Sequence, residues 1–370
     1  MTGAVSDTTS ENASATPRTR KSVGEVIEVA GLPIFLVILI AFFMLHPQTQ
    51  DLFAARPNLI NILGNQSVTG LVAVAMVIPL VSGYFDLSVA AIAGLANVAI
   101  ASAMVDHGLS TPLAILVGVG VGLAAGALNA FLVAGLRLNG FIATLGTFTL
   151  LSGVLQWYTK GTSIFGVPRG FANWGSLTWL GIPRPFYLLI VVAAIVWYAL
   201  MHTPNGRQLE AIGSNENAAR LVGISVDRLV ALSFLGSALV ASIAGALLTS
   251  RQGGADPTVA TNYLFPALAA VFLGATTIRP GRYNVWGTII GIFTLAVAIN
   301  GFTFLGAEAW VQNAFNGLAL VLAVAVSTLM GRQRERKAKR LLMDTDDVPP
   351  APEPTSGPGE AAAKATPSHA

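Results

Sequence analysis

The stretch LINILGNQSVTGLVAVAMVIPLVSGYFDLSVAAIAGLANVAIASAMV (residues 59–105) contains a single acid, Asp86, set between two apolar runs at 59–82 and 87–105. A helix needs about 20 apolar residues to cross the hydrocarbon core of a bilayer. Each run has that order of length, so this stretch predicts two membrane-crossing helices joined at a turn around Asp86. Working outward, the same pattern of apolar runs between polar or Pro/Gly breaks recurs near 28–46, 111–135, 139–159, 186–202, 228–250, 263–278, 284–305 and 309–330. The expectation is an all-α polytopic membrane protein of about ten transmembrane helices. The run at 263–278 is short and broken by Pro266, which leaves nine as the other count.

Composition agrees. The 370 residues are 54% hydrophobic and 11% charged, with mean hydropathy +0.67. Soluble domains carry about 25% charged residues, so a lipid bilayer is the expected solvent. The first apolar run is followed by His46 and Pro47 rather than a small-residue cleavage site, and it reads as a retained first span. If the N-terminus is cytoplasmic, 16 of the 21 Lys and Arg residues lie on that side, including Arg18, Arg20, Lys21, Arg207, Arg279 and the run 332–340. The five on the other side are Arg56, Lys160, Arg169, Arg184 and Arg251. This bias predicts that both termini are cytoplasmic. The expected organisation is a polar cytoplasmic extension at 1–27, a transmembrane domain at 28–331, and a basic, then disordered, cytoplasmic tail at 332–370.

Much chemistry is missing. No Gly is followed by Lys, so the phosphate cradle of a P-loop ATPase is absent. There is no HExxH, no cysteine and no Ser/His/Asp grouping, and the four histidines are isolated. No enzyme, metal site, bound cofactor or nucleic-acid partner is expected. Proton-coupled carriers usually need ionisable relays at membrane depth. The polar groups at that depth here are neutral instead. Asn97, Asn129, Thr144, Thr147 and Asn300 are the candidate lining of a path for a small neutral polar solute, with Thr149, Thr288 and Thr294 nearby in kind. Each also has a plain alternative as an interhelical hydrogen bond or helix cap. The glycines of 118–126 and Gly287 with Gly291 allow close helix packing, or else a dimer face.

The segment RQLEAIGSNENAARLVGISVDR (207–228) is too polar to span, yet it carries helix signals. Ser214 is placed to cap an N-terminus and Glu216 sits in the first turn. Glu216 and Arg220 form an i,i+4 pair, and Gly223 suits a left-handed C-terminal stop. Ala218, Leu221 and Val222 remain to pack on a neighbour. The segment is either a dock for a partner or a surface loop packed on its own spans.

Four ordered stretches carry a resemblance. AIGSNENAARLVGI (211–224) resembles the motif AIGGNExAARLxGI of the ribose/xylose/arabinose-type sugar ABC transporter permeases. GYFDLSVAAIAG (83–94) is similar to that family's GGIDLSVGSVLA, and NGFIATLGTFTLLSGV (139–154) to its PxFIxTLGxxxxxRGL. GRYNVWGTIIGIFTLAVAINGFTFLG (281–306) is similar to GRGSVxGTxxGALxLGxxNNGLxLLG. The resemblance covers about 59–330. It implies the inner-membrane permease subunit of a sugar importer, working as a homodimer with a cytoplasmic ATPase subunit that uses ATP and an extracytoplasmic substrate-binding protein. It also implies that 214–223 is the coupling helix, with Gly213, Ser214, Asn215, Glu216, Arg220 and Gly223 as its motif residues. Asp86 and Ser88 fall at the structural turn that opens the third span. Tyr84 stands where the family has the second Gly of GGID, Ala90 replaces the Gly after LSV, and Ser152 replaces the Arg of RGL. A secondary carrier or facilitator for a small polar solute is the alternative.

Overall fold

The computed structural model describes residues 23–258 and 262–326, with side chains from Val29 onward. The expected terminal extension before residue 23 and the tail at 332–370 lie outside the described residues. The first helix, α1 (Val23–Leu45), begins several residues before the expected position 28.

Each expected apolar run contains a helix. In chain order they are α1, the short α2 (Gln50–Phe53), α3 (Arg56–Leu80), α4 (Val89–Val105), α5 (Thr111–Gly135) and α6 (Gly140–Thr159). There follow α7 (Arg169–Ser176), α8 (Arg184–His202), α9 (Pro204–Ser214), α10 (Glu216–Leu221) and α11 (Val226–Gln252). The last three are α12 (Leu264–Gly274), α13 (Val285–Phe304) and α14 (Ala309–Val326). Among the described residues, seven helices are long and apolar enough to cross a membrane: α3, α5, α6, α8, α11, α13 and α14. Three apolar helices are shorter: Val29–Leu45 within α1, α4 and α12. At 1.5 Å per residue the 11 residues of α12 reach only about 16 Å. Pro266 occupies its first turn, where the missing N–H costs no bond.

α11 is the axis of the bundle and lies against α3, α4 and α5. The middle of α3, from Leu71 to Val77, is wholly buried, and so is most of α4. A helix apolar all round belongs inside a bundle, and these three helices supply the core. α5, α6, α8 and α14 bury only a minor part of their apolar windows, and their outer faces are free for lipid or a partner. Small residues set the spacing. A Cβ at Gly126 would stand 2.4 Å from the Ala238 Cβ, and one at Gly291 would stand 2.5 Å from the Ala270 carbonyl oxygen. Within this chain these glycines serve helix packing: α5 on α11, and α13 on α12.

Two antiparallel pairs of two-residue strands, β1 (Ile164–Phe165) with β4 (Gly254–Ala255) and β2 (Thr178–Trp179) with β3 (Ile182–Pro183), cover one end of the bundle beside α7. α9 and α10 occupy the opposite end, before α11 begins. The sites below are located relative to these two ends.

Candidate functional site

At the α10 end, Pro204 opens α9 and the Thr203 side chain accepts from the Gly206 N–H at 3.2 Å. α9 runs to Ser214, so Ser214 ends one helix rather than starting the next. The cap of α10 is Asn215. Its backbone is extended (φ −159°, ψ 102°) and its Oδ1 accepts from the Ala218 N–H at 3.0 Å. The expected cap is therefore displaced by one residue. Asn and Ser cap comparably well, and Asn215 is the residue that leaves helical geometry. The C-terminus of α10 is a complete Schellman motif: Gly223 has φ +83°, its N–H reaches the Arg220 carbonyl (3.1 Å), and the Ile224 N–H reaches that of Ala219 (3.0 Å).

A chain of charges pins this helix to the body of the protein. Tyr84 donates its hydroxyl to Glu216 Oε2 at 2.9 Å, and Arg220 donates to Glu216 Oε1 through Nη2 (2.9 Å) and Nε (3.2 Å). Arg220 also bonds Asp227, whose second oxygen accepts from Arg137 at 3.0 Å. The carboxylates of Asp227 and Glu216 raise the Arg220 pKa above its ordinary value. Burial, reinforced by the bond to Glu216, pushes the Tyr84 phenol up to about 12. Gly213 lets α9 close on the loop after α3, since a Cβ there would stand 2.2 Å from the Val81 carbonyl oxygen. Ala219 is buried, whereas Leu221 is 89% and Val222 76% exposed. Ala218 is exposed as well, so all three apolar residues expected to pack are left open to solvent among the described residues.

Two residues beyond Tyr84 the loop turns inward, and the polar residues noted in the sequence meet there. Asp86 Oδ1 accepts from the Ser88 N–H (3.1 Å) and hydroxyl (2.5 Å), and Oδ2 accepts from Ser237 of α11 at 3.0 Å. Asn129 of α5 donates to Ser88 Oγ at 2.6 Å and accepts from Thr147 of α6 at 2.7 Å. Thr144 donates to the Gly140 carbonyl (2.7 Å) and accepts from the Leu87 N–H (3.1 Å). All six side chains are buried. The chain Ser237–Asp86–Ser88–Asn129–Thr147 joins α11, the α3–α4 turn, α5 and α6, and each donor and acceptor named in it is used within the protein.

The remaining two candidates lie elsewhere. Asn97 of α4 donates to Thr249 Oγ1 (2.9 Å) and the Gly254 carbonyl (3.3 Å), while its buried Oδ1 has no partner. Asn300 of α13 forms a reciprocal amide pair with Asn58 of α3, both bonds 3.0 Å.

The end opposite α10 holds a cavity of about 350 Å³ between α3, the end of α11, α12, α13 and α14. Its polar lining includes Asn65, Gln66, Arg251, Tyr263, Gln312 and Asn316. None of these was singled out as a site from sequence, because they come from four separate segments. The adjacent amides Asn65 and Gln66 inside the apolar run 59–82 were the available signal.

Comparison with known proteins places these features in context. Residues 58–324 match the family described as the branched-chain amino acid transport system permease component. The chain is similar to the ribose import permease protein of Bacillus subtilis (strain 168), 35% identical over 295 residues, covering 79% of this chain and 90% of the relative. It is also similar to the L-arabinose transport system permease protein of Escherichia coli (strain K12), 30% identical over 332 residues, covering 90% and 98%. A third relative, the D-allose transport system permease protein of the same strain, is 30% identical over 299 residues, covering 80% and 90%.

Proposed function

The chain belongs to this family of transport-system permeases, and we propose that it is the membrane-spanning subunit of an ABC importer that admits a neutral monosaccharide. It is a multi-pass inner-membrane transport protein. A separate cytoplasmic ATPase subunit supplies the energy from ATP, an extracytoplasmic binding protein delivers the solute, and two copies of the chain form the assembly. Ten membrane segments with both termini in the cytoplasm fit the distribution of basic residues, the three shorter apolar helices being counted with the seven long ones.

The family description names branched-chain amino acids, whereas the similar curated proteins carry names of sugars. A zwitterion needs opposite charges for its ammonium and carboxylate. The single acid of the buried polar network, Asp86, is held by Ser88 and Ser237, so it is not free to pair with an ammonium group. That interior supports the sugar.

The observation that carries the ATPase-driven reading is α10 itself. It is capped at both ends, anchored through Glu216, and presents Leu221 and Val222 to solvent. Two apolar side chains on a short polar helix outside the bilayer suit a groove on a partner protein. Residues Gly213 to Gly223 would then transmit ATPase motion to the bundle through Tyr84. Co-expression with the ATPase subunit of the same transport system tests this. Glu216→Lys loses both the Tyr84 and Arg220 contacts, and Leu221→Asp removes half of the apolar pair. Both variants should insert normally, with ATPase association and uptake reduced about tenfold or more, equivalent to roughly 1.4 kcal/mol. Full association and uptake by both would refute the coupling role. Accumulation of leucine, and of none of ribose, arabinose or allose, would refute the sugar.

A further inference from the structure

We propose that the cavity between α3, α11, α12, α13 and α14 is a solute-binding site contained within a single protomer, selective for a small neutral polyhydroxylated molecule. The proposal rests on the permease reading above and adds the location and chemistry of the site.

Asn316 is the first reason. It is 5% exposed, and neither end of its amide makes a hydrogen bond with a described residue. A buried polar atom without a partner costs about 1–3 kcal/mol, and within a membrane there is no water to relieve it. The buried amides that serve packing are bonded at one end, as in Asn97, or at both, as in Asn129. Asn129 uses both ends of its amide, and Asn316 uses neither. Asn316 instead borders a cavity of about 350 Å³, within the span of roughly 300–1,000 Å³ typical of small-molecule sites.

The lining chemistry is the second reason. Gln312 lies four residues before Asn316, on the same face of α14. Asn65 and Gln66 face them from α3, and Tyr263 adds a phenol. Amides and a phenol both donate and accept, as sugar hydroxyls do. Ile292 and Leu295 of α13 form an apolar wall for the C–H face of a ring. Arg251 completes the set. Its guanidinium donates to the Gly175 carbonyl (3.0 Å) and to Asn65, and no carboxylate pairs with it among the described residues. It occupies space that Gly64 leaves open, since a Cβ at Gly64 would stand 2.6 Å from Arg251 Nη1. The cavity has donors in excess and no acid in its lining, so an ammonium group would find no counter-charge there. A neutral polyol meets every group, whereas a zwitterion does not.

The chain contains no cysteine, so Gln312→Cys places a sole thiol on the cavity wall. The full transporter, with its ATPase and binding protein, is first assayed for uptake of ribose, arabinose, allose and leucine. The thiol is then titrated with a water-soluble methanethiosulfonate reagent, with and without the accumulated sugar. The expected result is slower labelling in the presence of that sugar, by about fivefold at saturation, and no protection by leucine. Asn316→Leu should abolish the protection and lower maximal uptake per folded transporter about tenfold, equivalent to roughly 1.4 kcal/mol. Gln66→Ala, made in the Gln312→Cys background, should weaken protection without affecting folded yield. Sugar accumulation with unprotected labelling overturns the site and leaves the permease reading standing. Protection by leucine overturns the neutral-solute chemistry. Accumulation of none of the sugars overturns the permease-for-sugar reading and this site with it.

Discussion

The two polar regions of the bundle each contain a buried asparagine and differ in how its amide is satisfied. At the α10 end, Asp86, Ser88, Asn129 and Thr147 use one another, and Ser237 completes the chain. At the opposite end, Asn316 is also buried, 5% exposed against 0% for Asn129, and its side chain bonds to no described residue. In a bilayer a polar side chain that has found its partners acts as helix glue. One that has not carries a standing cost, which a bound ligand can remove. Residue type and depth therefore do not separate structural from ligand-binding amides in this chain; the state of their hydrogen bonds does.

The largest expected effect sharpens the first half of that contrast. Asp86→Ala leaves Ser88 and Ser237 without their shared acceptor in the core. With a buried group left without its hydrogen-bond partner costing about 1–3 kcal/mol, the loss should reach several kcal/mol. The variant should give little folded protein by size-exclusion chromatography in detergent, and near-normal yield would mean that the network is not a structural hub. Asp86→Asn keeps the shape, and it should give a milder folding or gating defect without a change in solute preference.

The comparison itself is broken or upheld by two matched substitutions. Asn129→Leu removes two interhelical bonds at roughly 0.6 kcal/mol each on average. It should lower the unfolding midpoint while uptake per folded molecule is kept. Asn316→Leu deletes an unpartnered amide, so stability should hold or rise by up to about 1–2 kcal/mol while uptake falls. Thermal unfolding alongside normalised uptake reads both. The reverse pattern would exchange the roles assigned to the two regions.

A smaller effect is expected at the cap of α10. Asn215→Ala should cost about 1 kcal/mol, seen as faster amide exchange across 216–221, whereas Ser214→Ala should leave that exchange unchanged. Equal effects would mean that the two residues share the capping.

A pH-dependent effect concerns Tyr84. Its pKa is raised to about 12 from an ordinary value near 10, so the folded state holds the proton more tightly. The resulting contribution is fully present below about pH 10 and is lost as pH rises through 12. Unfolding midpoints measured across that window should fall more steeply for the parent protein than for Tyr84→Phe. Parallel slopes would argue against the Tyr84–Glu216 bond.

Sequence alone was most informative where its signal is local. The i,i+4 pair Glu216–Arg220 and the left-handed Gly223 are present as expected, because both depend only on spacing along one helix. The cap moved from Ser214 to Asn215, since adjacent capping residues compete and α9 had to end first. Tyr84 showed itself only as a departure from a motif. Its partner, Glu216, lies 132 residues away and is brought near by the packing of α9 on the loop after α3.

The apolar runs determined an all-α membrane protein, because crossing the hydrocarbon core demands long apolar helices and nothing in a short stretch of chain can evade that demand. The ordered motifs determined the family. What only the tertiary structure decided is which neutral polar residues are spent on other residues and which are not. Asn129, Asn300 and Asn316 read alike along the chain, each an amide in an apolar helix. Their difference lies in Thr147 of α6, Asn58 of α3 and an open cavity beside α14. Those partners are far away in sequence, and only the packing of the helices decides which amide they meet.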